Sequence, residues 1–295
     1  MNTPSSPATP ALPPRVHHPA YVLQRGEAPL MVSLPHCGTW IPPELAGRLV
    51  PRAFATEDTD WLLDRLYAFA TELGATVLVP RAARYVIDLN RPGDDTPMYP
   101  GANNTELCPT RFFTGEPLYR PGQAPTPDEI AQRRATWWQP YHDTLAAELD
   151  RLRARHGRVV LFDGHSIRSE LPWLFEGRLP DLNLGTVDGR ACDPTLRACL
   201  AGLLARQTRF SHVVDGRFKG GHITRHHGRP AEGLHAVQLE MTWRCYTDEA
   251  EPALWQAERA AQVQPLLREL LTAMRDWAMA GGGNSIGNAS GGRPA

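Results

Sequence analysis

Lysine is almost missing from these 295 residues. Lys219 is the only one, and arginine supplies nearly all of the positive charge. Schiff-base chemistry therefore has a single candidate, and no phosphate-binding motif accompanies it. Net charge is missing too. The 31 basic residues nearly cancel the 32 acidic ones, which gives no electrostatic reason to expect nucleic acid or an anionic membrane as a partner. Cysteine is sparse. Cys37, Cys108, Cys192, Cys199 and Cys245 are odd in number, scattered and without a C-x-x-C pair. That pattern excludes a disulfide framework and a thiolate zinc site, and it suits a reduced cytosol. No apolar run reaches spanning length, and the start of the chain lacks the basic-then-apolar signal pattern, so a cytoplasmic location is expected.

What remains is a chain with 42% hydrophobic residues, enough for a core of its own. Residues 1–28 are rich in Pro, Ser and Thr and read as a disordered N-terminal segment. Residues 281–295 are rich in Gly, Ser and Asn and read as a flexible tail. Between them, 29–280 has no repeat or linker and is expected to be a single catalytic domain. Short apolar runs at Leu30–Leu34, Thr76–Val79, Tyr85–Leu89, Val159–Phe162 and Ala236–Leu239 read as strands. Asp60–Leu73 has helical spacing. Thr126-Pro127 and Asp193-Pro194 look like N-cap and first-turn pairs, and the first of these helices should break or kink at Pro140. Ala253–Ala278 is an amphipathic helix. The alternation predicts an α/β fold, a three-layer α/β/α sandwich around a mixed, largely parallel sheet.

In open α/β sheets, ligands bind beyond the carboxyl ends of the strands. Here those ends run into His36, Asn90-Arg91, His165 and Glu240. Two imidazoles and a carboxylate would leave an open position on a divalent ion, with zinc the natural choice. A separate glutamate could move protons, and an arginine could clamp a substrate carboxylate in bidentate fashion. Such a set suits hydrolysis of an amide on an acidic amino acid. The stretch GRFKGGHITRHHG adds Arg217, Lys219, His222, Thr224 and Arg225 between glycines that let a ligand approach backbone. Arg168 is a second choice for a carboxylate, with Arg84 and Tyr85 behind it. The pair Trp137-Trp138 reads as packing.

The stretches LPHCGTWIPPEL, DTDWLLDRLY, RYVIDLNRPGDDTPMYPG, LFDGHSIRS, LPDLNLGTVDG, GRFKGGHITRHHG and HAVQLEM resemble N-formylglutamate amidohydrolases, over most of the chain from Pro29 to Trp277. The resemblance implies a carboxypeptidase-like fold. It implies conversion of N-formyl-L-glutamate and water to L-glutamate and formate, at the end of one route of histidine degradation. The alternative is a related zinc amidohydrolase or carboxypeptidase acting on another N-acyl amino acid or a short peptide. In the similar zinc carboxypeptidases the order is histidine with a nearby acidic ligand, Asn-Arg pair, second histidine, catalytic glutamate. Here that order reads His36, Asn90-Arg91, His165, Glu240. The position three residues after the first histidine, acidic in carboxypeptidases, is Thr39 in this chain. The acidic ligand must come from Asp58, Asp60 or Asp64. Asp60 is chosen for its place at a helix start, with Asp58 next. The expected metal ligands are thus His36, Asp60 and His165.

Overall fold

The computed structural model describes residues 15–98 and 103–281. Eight strands form one sheet: β1 (Arg15–His17), β2 (Tyr21–Gln24), β3 (Leu30–Ser33), β4 (Thr76–Pro80), β5 (Val159–Ile167), β6 (Leu182–Gly185), β7 (His212–Val214) and β8 (Leu234–Thr242). Their spatial order is β1-β2-β4-β3-β5-β8-β6-β7. The pairs β4/β3, β3/β5, β5/β8 and β6/β7 are parallel, and the other three are antiparallel. The sheet is therefore mixed and parallel at its centre.

The helices are α1 (Pro43–Ala46), α2 (Leu63–Leu66), α3 (Pro127–Arg133), α4 (Gln139–His156), α5 (Pro194–Arg206), α6 (His222–His227) and α7 (Ala257–Ala280). Side chains alternate across the central strands, so each face has its own core. Met31, Leu161 and Ala236 pack with Leu145, Leu149 and Leu152 of α4 on one side. Val32, Phe162 and Val237 pack with Leu196 and Leu200 of α5 and Val263, Leu267 and Leu271 of α7 on the other. These are the three expected layers. Each such leucine contributes about 1.5–3 kcal/mol by leaving water. Both predicted caps form. Thr126 accepts from the Glu129 N–H in a capping box, and Asp193 accepts from the Thr195 N–H. The helix does not stop at Pro140. A π turn at Arg134–Trp138 joins α3 to α4 directly ahead of it.

Several expectations need correction. Residues 15–28 are not disordered, since β1 and β2 extend the sheet beyond β4 as antiparallel strands. Both strands are very short, and β4, which holds β2 in the sheet, is distant in the chain. Residues 1–14 and 282–295 lie outside the described residues. Tyr85–Leu89 is not a strand. The Val86 N–H turns back to the Ala83 carbonyl and the Asp88 N–H bonds the Leu107 carbonyl. Its apolar residues are buried as loop. The helix expected over Asp60–Leu73 is only α2 followed by a 3₁₀ turn, Ala68–Thr71. Strands β5 and β8 run past their apolar halves, because polar residues continue the ladder. No helix among the described residues is long and apolar enough to cross a membrane.

Candidate active site and metal centre

Strands β5 and β8 pair in register, with Leu161 beside Ala236, Asp163 beside Gln238 and His165 beside Glu240. In a parallel pair, neighbours in register point to the same face. Along the face toward α4, apolar residues thus give way to Asp163, Gln238, His165 and Glu240 at the carboxyl ends. His36 arrives from the loop after β3. A Cβ at Gly38 would collide with the Ala82 carbonyl, so this turn depends on a glycine. The Asp60 N–H donates to the His36 carbonyl at 3.0 Å, which ties the loop ahead of α2 to the same spot. Asp60 is therefore held by a tertiary hydrogen bond and does not sit at a helix start.

One donor atom each from His36, Asp60 and His165 lies within 4.8 Å of the others, and all three residues are buried. Asp60 Oδ2 is 3.6 Å from His36 Nδ1 and 3.2 Å from His165 Nδ1, and it accepts from the Ser166 N–H at 3.1 Å. The far nitrogens also face carboxylates. His36 Nε2 is 2.8 Å from Asp88 Oδ1 and His165 Nε2 is 3.2 Å from Asp163 Oδ1. At His36 the Asp88 carboxylate accepts from Nε2–H and leaves the Nδ1 lone pair facing Asp60, as in the supporting shell of metal sites. At His165 the Asn90 amide Nδ2 donates to Nε2 at 3.0 Å. Two imidazole nitrogens and one carboxylate oxygen suit a divalent cation with a position left open.

Charge balance supports this. Burial alone would raise the Asp60 carboxyl, but His36 and His165 outweigh it and hold it well below the usual range. Burial opposes charge on His165, but Asp163 and Asp60 outweigh it and push that imidazole well above its ordinary value. An arriving cation would displace that proton. Burial pushes Glu240 up to about 8, against the pull of His165 and with a smaller push from Asp60.

These residues line one cleft at the carboxyl ends of β5 and β8. Arg84 contributes a guanidinium, with Nη2 2.7 Å from Asp88 Oδ2 and Nη1 3.7 Å from Asp60 Oδ1. Arg91 donates to Thr105 Oγ1 at 3.0 Å. The Nε atoms of both arginines are buried without a hydrogen-bond partner. Asn90, Asn103, Asn104, Arg217, Phe113, Phe175 and Phe218 also line the cleft.

The structure brings His36, Asp60, Asn90, Arg91, His165, Arg217 and Glu240 together. Other expected substrate-binding residues lie elsewhere. Arg168 lines a neighbouring crevice, 5.1 Å over the Trp243 ring. Lys219 is exposed and pairs with Asp188 at 2.9 Å. His222 packs its ring against Trp138 and His142. Thr224 Oγ1 donates to Asp163 Oδ2 at 3.2 Å, behind His165. Arg225 Nε donates to the Gly220 carbonyl. The reason is that this basic stretch turns into α6 and serves through its backbone. The Gly221 N–H donates to Gln238 Oε1 at 2.7 Å and the Ile223 N–H to Asn90 Oδ1 at 2.8 Å. A side chain on Gly221 would strike the Asn90 amide. Asp58 is away from the cluster, held by the Tyr85 hydroxyl at 2.9 Å and the Phe113 N–H at 3.1 Å. Asp64 is exposed on α2.

Asp88, Asp163, Gln238, Asn103 and Asn104 went unnoticed in the sequence. For Asp163 there was a signal, since a strand places it on the same face as His165, two residues on.

The comparisons with known proteins agree. A family model described as N-formylglutamate amidohydrolase matches residues 28–247. The N-formylglutamate deformylase of Pseudomonas aeruginosa is 50% identical over 254 residues, 86% of this chain and 95% of that protein. The N-formylglutamate deformylase of Pseudomonas putida is 48% identical over 253 residues, 86% of this chain and 94% of that protein. The crystal structure of N-formylglutamate amidohydrolase from Ralstonia eutropha superposes with a TM-score of 0.76 at 25% identity, covering 90% of this chain and 100% of that one. With a family match over most of its length and relatives near half identity, this chain belongs to the N-formylglutamate amidohydrolase family.

Proposed function

We propose that this protein hydrolyses N-formyl-L-glutamate to L-glutamate and formate with one divalent cation, zinc by the nature of its donors. The observation that carries the reading is the meeting of His36, Asp60 and His165 beside buried Glu240, in a cleft that also holds Arg84 and Arg91. The relatives named N-formylglutamate deformylase support the substrate.

His36, Asp60 and His165 would hold the cation. When bound, such an ion supplies Lewis acidity to the formyl oxygen and to water. Glu240 takes a proton from the attacking water and delivers it to the departing amine nitrogen. Its carboxyl sits high in the metal-free protein, and the charge of the cation brings it down toward a working base. Arg91, with Asn90 beside it, holds one substrate carboxylate, and Arg217 across the cleft holds the other. Arg84 faces charge developing on the former carbonyl oxygen. The aromatic wall of Phe113, Phe175 and Phe218 keeps bulk water away. We infer that 29–280 is the catalytic domain, with β1 and β2 added to its sheet. The five free thiols support a cytosolic location.

Formate release from N-formylglutamate, set beside deacylation of N-acetylglutamate and N-succinylglutamate, tests the assignment. The formyl substrate should have the highest kcat/KM. A preference for a larger acyl group would instead identify a different N-acyl amino acid hydrolase.

A further inference from the structure

Asn90 and Arg91 stand in a loop that belongs to no strand or helix, so their backbone groups must find partners elsewhere. Four carbonyls of this short loop are tied down from outside the cleft. His142 Nε2 donates to the Leu89 carbonyl at 2.8 Å. The His222 N–H donates to the Asn90 carbonyl at 3.3 Å. Trp138 Nε1 donates to the Arg91 carbonyl at 3.0 Å. The Arg134 guanidinium donates to the Gly93 carbonyl at 3.0 Å.

Three of these donors, Arg134, Trp138 and His142, are spaced four residues apart. In a pure α-helix that spacing drifts steadily around the axis. The π turn at Arg134–Trp138 winds with more residues per turn and offsets the drift, so all three face the loop. The Trp138 indole is fixed on both sides. It stacks on the His142 ring with centroids 3.8 Å apart. A Cβ at Gly93 would lie only 3.3 Å from its outer edge, so the loop rests on the ring. Trp137, by contrast, turns away and packs at a tilt against Trp40.

We propose that Trp138 is a positioning residue for the substrate clamp, with Arg134 and His142 completing a rail that holds the backbone beneath Arg91. The Arg91 guanidinium donates to Thr105 Oγ1, and its Nε, without a hydrogen bond, lies 3.9 Å from Asp88 Oδ2 in the same loop. Its aim therefore depends in part on where the loop backbone is held. The rail spares the substrate the cost of ordering that side chain on binding. This inference rests on the reading that Arg91 binds a substrate carboxylate.

Trp138→Phe keeps the ring and removes the N–H. KM for N-formylglutamate should rise about tenfold, as for loss of one partly buried hydrogen bond, with a smaller change in kcat and unchanged bound zinc. Made in an Arg91→Ala background, the same substitution should change KM less than about twofold, because contacts acting through one group are not additive. Arg134→Met, at an exposed position, is the second variant should Trp138→Phe fail to fold. It should raise KM by about threefold or more, and that effect too should vanish without Arg91. Equal KM effects with and without Arg91 would overturn the proposal while leaving the clamp intact. An unchanged KM in Arg91→Ala alone would instead remove the clamp itself, and the proposal with it.

Discussion

Replacing Glu240 by Gln keeps the size of the side chain and removes its ability to accept a proton. If Glu240 is the base, kcat should fall by roughly 10²–10⁴-fold, about 3–5 kcal/mol at 1.36 kcal/mol per tenfold. The proposed ligand set of His36, Asp60 and His165 does not include Glu240, so bound metal and KM should stay near wild type. Stability adds an independent check. Burial places the folded carboxyl at about 8, above its ordinary value. An acid raised in the folded state costs stability as pH climbs, because the unfolded chain loses its proton first. Metal-free wild type should therefore lose up to about 1.4 kcal/mol per pH unit from this group between its ordinary value and about 8. Metal-free Glu240→Gln should not, and above pH 8 it should melt higher than wild type. Formate-release kinetics, metal analysis and melting curves at several pH values read all of this. A normal kcat with metal bound would refute the assignment, and lost metal would make Glu240 a ligand.

Three further outcomes follow from the geometry. Asp88→Asn weakens the partner behind His36, so zinc affinity should drop by about 10–100-fold with kcat largely regained at saturating zinc; competition with a chelator measures this, and unaltered affinity would deny Asp88 its supporting role. Arg91→Ala should raise KM for the acidic substrate by about 100-fold, whereas Arg168→Ala should leave it within about twofold, since Arg168 lies over Trp243 in another crevice; the reverse pattern would move the clamp. Burial pushes His227 down to about 3 and also lowers His142. A histidine kept neutral in the folded state contributes stability that is full above the ordinary value of 6.5 and lost as pH falls toward the folded one. Urea unfolding from pH 7 to 4 should show a decline shallower by up to about 1.4 kcal/mol per unit in His227→Phe, and parallel curves would contradict that.

Much of this molecule was legible because its signals were local. The central strands announced themselves as short apolar runs, and Thr126-Pro127 and Asp193-Pro194 marked their helices by cap chemistry. The metal-type cluster was legible as polar residues where apolar strands ended. Its supporting shell was harder. Asp88 lay in a stretch whose apolar residues imitate a strand, although they are buried in a loop anchored at Leu107. The GRFKGGHITRHHG stretch looked like a basic binding loop by composition. Its folding into α6 turned Lys219 and Arg225 outward and left backbone N–H groups to do the holding. β1 and β2 escaped notice because they are only three and four residues long inside a Pro-, Ser- and Thr-rich segment, and β4, the partner that ties β2 to the sheet, lies more than fifty residues away. Trp138 looked like core filling because the contact that matters is one indole N–H to a loop carbonyl.

The most direct test of the central claim is a zinc titration of the metal-free protein, with formate release from N-formylglutamate measured at each addition. Activity should rise from near zero and level off at one equivalent of zinc, with no such rise in His36→Ala or His165→Ala. Full activity in protein shown to be free of metal, or a rise that persists in both histidine variants, would contradict the account.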